Sequence, residues 1–114
     1  MLEKDEANLQ EILVCARKIL EFVADISDAE TLVADQKTYD AVMMNFILIG
    51  EAVSRLTDSV KSANSHIDWA NIKGFRNLVV HDYMGIDEYE VWSIIRTELP
   101  ELIKDIQVVL DKKG

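Results

Sequence analysis

Apolar residues return at three- and four-residue steps along almost the whole of this 114-residue chain, and only 4 Gly and 1 Pro interrupt them. That spacing stacks apolar side chains on one face of a helix, and so few breakers leave room for long helices. A first helix is expected over about residues 3–26, with Leu9, Ile12, Leu13, Ala16, Ile19, Leu20 and Val23 in one stripe. Ser27 and Glu30 have capping-box spacing, so a short helical turn should follow. Asp35 is the expected N-cap of a second long helix over roughly 36–61, whose main face carries Tyr39, Val42, Met43, Phe46, Ile49, Gly50, Val53 and Leu56. Residues 62–67 read as a loop, and Asp68 caps a third helix of roughly 69–81. Gly74 falls inside that third helix, where it offers a place for close packing. Asp87 and Glu90 repeat the capping-box pattern and open a last helix through Val91, Ile95, Leu99, Leu102, Ile106 and Leu110, which Pro100 should kink or restart. The expected architecture is all-α: an up-down helical bundle of four to five helices, forming a single domain over 1–114.

Met44, Ile47 and Leu48 add apolar surface to the second helix outside its main face. A helix apolar on several sides is buried on more than one of them. In a small domain a second subunit covers the extra side most easily, so a homodimer is expected. Cys15 is the sole cysteine, which leaves no internal disulfide and fits a reducing cytoplasm. It sits between Val14 and Ala16 as a small buried hydrophobe. The charged N-terminus lacks the apolar core of a signal peptide. The longest apolar stretch, Ala41 to Gly50, is broken by Asn45 and too short to cross a bilayer. Asn45 itself is read either as a hydrogen-bonded core amide or as part of a cleft. His66 stands in the loop without a partner acid at metal-ligand spacing, and Trp69, Trp92 and the methionines read as packing residues. Di-iron bundles need Glu three residues before His. Ala63 and Leu78 occupy those places before His66 and His81, so neither a metal nor a cofactor is expected.

The net charge of −9 argues against indiscriminate nucleic-acid binding, which needs clustered Lys and Arg. The charge is uneven, however. Residues 61–86 carry a net +1, whereas every other stretch is negative. An anion would approach most easily there.

That same stretch holds the run Trp69-Ala70-Asn71-Ile72-Lys73-Gly74-Phe75-Arg76-Asn77-Leu78-Val79-Val80-His81-Asp82-Tyr83. Arg76 and His81 are five residues apart, about 140° around an ideal helix. They converge on one target only if two copies meet at an axis, or if the helix end turns the His ring inward. Asn77 and His81, four apart, share a face. Cleaving RNA without a metal needs a base for the 2′-hydroxyl, an acid for the leaving 5′-oxygen and a cation for the phosphorane. His titrates near neutral pH and fills the first two roles. Arg stays charged and offers a two-pronged fork to phosphate oxygens. Spacing alone also allows a plainer reading, with Arg76 on a solvated face and His81 closing a helix C-terminus where imidazolium is favoured.

The wider pattern resembles one family. Ile49-Gly50-Glu51-Ala52 on the second helix, then Trp69, then Arg76-Asn77-Leu78-Val79-Val80-His81-Asp82-Tyr83, then Val91-Trp92 and Leu99-Pro100, is similar to the HepT-like branch of the HEPN superfamily, in order and over nearly the whole chain. The resemblance implies a dimeric helical bundle with two copies of the motif at a shared cleft. It implies a metal-independent endoribonuclease toxin of a type VII toxin–antitoxin system, with Arg76 and His81 catalytic, Asn77 and Tyr83 supporting, and RNA (tRNA among the candidates) as substrate. The expected partner is an MNT-type nucleotidyltransferase antitoxin that adds AMP to Tyr83. AMPylation would place a bulky phosphate beside Arg76 and block an anionic substrate. The alternative is a catalytically silent module of the same fold that binds only the nucleotidyltransferase or a nucleotide.

Overall fold

A computed structural model describes residues 1–82 and 87–112, except the side chains of residues 78–82. Helix α1 (Glu3–Phe22) is the first long element. It stops four residues short of expectation because Val23 leaves helical geometry and bonds back to Ile19 and Glu21. The predicted stripe is buried apart from Leu20, which is half-buried, and Cys15 is buried beside it. Burial pushes the Cys15 thiol above its ordinary pKa, as expected for an unreactive packing residue.

Helix α2 (Ala29–Ala34) is the short turn expected after α1, but its cap is Asp28 rather than Ser27. The Asp28 carboxylate accepts from the Thr31 amide at 2.7 Å. Helix α3 (Gln36–Arg55) begins where Asp35 accepts from the Thr38 amide and hydroxyl, as predicted. It ends six residues early. Leu56 turns extended, and Thr57 caps a separate helix α4 (Asp58–Ala63). The break is held from the start of the chain. Asp5, 2 % exposed, accepts from the Thr57 amide at 2.9 Å and from its hydroxyl at 2.6 Å. Those bonds secure the break and tie the start of α1 to the start of α4.

Asn45 donates to the Ala41 carbonyl at 2.8 Å and is 7 % exposed, which is the core reading of that residue. The expected loop narrows to residues between α4 and α5 (Trp69–Asp82), where Trp69 Nε1 donates to the Lys61 and Asn64 carbonyls. Asp68 caps α5 by accepting from the Asn71 amide at 3.0 Å. The last helical run is α6 (Glu88–Ser93), a π-helical stretch at Ile94–Glu98, and α7 (Leu99–Asp111). Pro100 has no N–H to give to the preceding turn. The Leu99 amide reaches back five residues to the Ile94 carbonyl, and a regular helix restarts with Pro in its first turn. This is the predicted interruption, accommodated as a π-bulge rather than a sharp break.

The core follows from these stripes. Helix α3 packs between α1 and α5, α7 lies along α1, and α2 joins α3 to α6. Phe46, Ile49, Leu9, Ile12, Ile19, Leu99 and Ile106 have no exposed surface. The result is an all-α bundle, as expected. Among the described residues no helix is long and apolar enough to cross a membrane, and no cluster of His, Cys, Asp or Glu has metal-binding form. Met43 is core, but Met44 is 55 % exposed, so the packing role expected of the methionines does not extend to it within one chain.

Candidate active site

Arg76 sits in the middle of α5, half-buried, on the side that faces α3. Its Nη1 donates to Glu51 Oε1 at 2.7 Å. This bond holds the Glu51 carboxyl below the usual carboxylate range, and the positive charges of Arg76, Arg55 and Lys73 add to it. Glu51 is the partner that fixes the guanidinium.

The approach of the two helices is set one residue earlier. A Cβ on Gly50 would stand 2.6 Å from the Arg76 Cβ and 3.0 Å from the Lys73 carbonyl oxygen. Only a residue without a side chain allows α5 to lie this close. Gly74 does not do this job: a Cβ there meets nothing within 4 Å. It faces an open groove of about 520 Å³ that Asn71, Ser93 and Glu98 also line. The close contact expected at Gly74 is therefore found at Gly50. The two glycines predict opposite responses. Gly50→Ala should lose up to about 2 kcal/mol, since overpacking costs about 1–3 kcal/mol and the better helix former returns about 1 kcal/mol. Gly74→Ala should gain about 1 kcal/mol. Urea unfolding of both variants checks the pair, and equal shifts would refute the packing account.

Helix α5 continues without a break from Arg76 through His81 to Asp82. The backbone thus carries both motif residues on one helix, about 7.5 Å apart along its axis. The His81 side chain and the whole of Tyr83 lie outside the described residues. Asn77 is exposed beside Arg76. His66 is exposed, and Trp92 lies under the Arg96 guanidinium at 5.7 Å, in keeping with the packing role expected of it.

A helical bundle with Arg76 and His81 on one uninterrupted helix agrees with the fold that the resemblance to the HEPN class implies. The chain belongs to the ribonuclease HepT-like family of that class, whose model matches residues 12–109. It is 32 % identical over 105 residues to a protein of Caldanaerobacter subterraneus subsp. tengcongensis named "Putative RNase", covering 92 % of this chain and 93 % of that one. A Methanocaldococcus jannaschii protein of the same printed description is 29 % identical over 91 % of this chain and 94 % of its own. A Thermococcus cleftensis protein named "Probable ribonuclease HepT" is 29 % identical over 82 % of this chain and 84 % of its own. No solved structure matches the sequence.

Proposed function

We propose that this chain is a metal-independent endoribonuclease in which Arg76 clamps the scissile phosphate and His81 moves the protons. The observation that carries the reading is the anchored guanidinium: Arg76 is held at the surface by Glu51, on the same unbroken helix as His81, in a chain of the ribonuclease HepT-like family. One His81 takes the proton from the 2′-hydroxyl, and the 2′-oxygen attacks phosphorus. Arg76 stabilises the charge on the non-bridging oxygens. A second imidazolium gives its proton to the departing 5′-oxygen, leaving a 2′,3′-cyclic phosphate and a 5′-hydroxyl. Two copies of His81 supply base and acid if the chain dimerises. Met44 and Leu48 on α3, 55 % and 36 % exposed, with the half-buried Ile47 between them, are an apolar surface suited to that contact. Asn77, exposed next to Arg76, supports the bound phosphate. The family relation extends the reading to a toxin–antitoxin pair, in which an MNT-type nucleotidyltransferase silences the enzyme by AMPylating Tyr83.

The test is cleavage of total RNA in excess EDTA by protein purified without a partner, beside His81→Ala. Cleavage by the parent alone, with 2′,3′-cyclic phosphate ends, is the expected result. No cleavage by a parent whose intact mass shows unmodified Tyr83 overturns the nuclease reading in favour of the silent, partner-binding module.

A further inference from the structure

The chain carries 21 acidic and 12 basic residues, an unpromising surface for a polyanion. Yet the crossing of α3 and α5 gathers three bases around a single carboxylate. Arg55 follows Glu51 by four residues on α3, one turn along the same face. Lys73 precedes Arg76 by three on α5, again one turn along the same face. The two turns lie directly on each other, because Gly50 brings the Lys73 carbonyl and the Arg76 Cβ within 3.0 Å of where its own Cβ would be. The charges of Arg55 and Lys73 reach Glu51 along with that of Arg76. Arg55 and Lys73 are exposed, and among the described residues neither forms a salt bridge. Glu51 is already engaged by Arg76, so the cluster keeps a surplus of positive charge in an otherwise acidic molecule.

Resting on the nuclease reading above, we infer that Arg55 and Lys73 form a phosphate track that runs on from Arg76 and holds the RNA backbone next to the cleaved bond. Arg76 serves the scissile phosphate, and one basic side chain a helical turn away on each helix meets its neighbours. Such contacts add affinity without reading sequence. The track also accounts for how an acidic protein engages RNA, since its positive field is local while the Debye length in physiological salt is about 8 Å.

The experiment measures binding of the full-length protein to a fluorescein-labelled, single-stranded 2′-O-methyl oligonucleotide of mixed sequence. This probe cannot be cut through a 2′-hydroxyl, so binding is read separately from cleavage. Each phosphate contact on single-stranded nucleic acid adds about 0.7 to the slope of log affinity against log salt. Lys73→Ala and Arg55→Ala should each flatten the slope by about 0.7 and weaken binding roughly fivefold at 0.1 M salt. Lys37→Ala removes the same charge from α3 about 21 Å from Glu51 along the helix and should change neither. The inference is overturned if the two variants bind like the parent, if Lys37→Ala weakens binding equally, or if the parent does not bind the probe. Cleavage of natural RNA by the parent, with binding unaffected in both variants, would remove the track and leave the nuclease. Binding as expected without any cleavage would remove the nuclease and leave a nucleic-acid surface.

Discussion

Arg76→Ala is expected to lower kcat/KM on RNA by about two to three orders of magnitude, the scale on which losing one preorganised charge donor acts, while thermal unfolding stays near the parent's. The two halves of this expectation come from different atoms of the same side chain. The guanidinium ends at Glu51, 2.7 Å away, with both side chains about one-third exposed. Surface ion pairs of this kind contribute little to folding. Glu51 left alone turns to water at small cost. The part of Arg76 that does pack is its Cβ against Gly50, and alanine keeps that atom. Arg76→Lys makes the sharper comparison. It keeps the charge and the packing but loses the planar fork, so most of the activity should stay lost. Single-turnover cleavage in EDTA, paired with thermal melts, decides the matter. An Arg76→Ala enzyme that cleaves at the parent rate would dismiss the clamp, and one that melts far below the parent would recast Arg76 as structural.

The parts of this molecule legible in the sequence are those that local physics controls. The long helices announce themselves because a stripe such as Leu9, Ile12, Ala16 and Ile19 must be buried against something, whatever that is. Asp35 and Asp68 were readable as caps because their partners, Thr38 and Asn71, lie three residues on. Pro100 was readable because it lacks an N–H. What escaped depends on which helices become neighbours. The stop of α3 at Arg55 is secured by Asp5, which lies 52 residues from its partner Thr57. No window of sequence contains both. A buried acid near the N-terminus looked like one more surface charge. Both glycines stand inside helices, and the crossing of α3 and α5 is what makes Gly50 the indispensable one. The same crossing pairs Glu51 with Arg76, 25 residues apart. The motif on α5 was visible, but the side chain that anchors its Arg was visible only as part of a family pattern. A glycine next to an acid on a buried helix was the one local clue, since such a glycine costs helix stability and so points to a close neighbour.

Phe46→Ala should be the most destabilising of the changes considered, at about 3–5 kcal/mol, out of a total stability of about 5–15 kcal/mol for domains of this kind. Phe46 has no exposed surface, and its ring meets Phe75 edge-to-face, with centroids 5.3 Å apart and planes at 74°. That geometry adds about 0.5–1.5 kcal/mol beyond simple burial. Truncation leaves a cavity between α3 and α5 that the surrounding helices fill only in part. The melting temperature should fall by roughly 12–20 °C, taking about 4 °C per kcal/mol at this chain length. The consequence for activity is the more informative half. Phe75 is the residue before Arg76, and it presses α5 onto α3 at the level where Glu51 receives the guanidinium. Cleavage rates measured at a temperature where circular dichroism gives the folded fraction separate two cases. If the rate falls only in proportion to the folded fraction, the ring pair sustains the fold and Gly50 alone sets the position of Arg76. If the rate per folded molecule also falls, the Phe46–Phe75 contact is a second anchor of the clamp, and restoring volume with Phe46→Leu should recover stability before it recovers the rate.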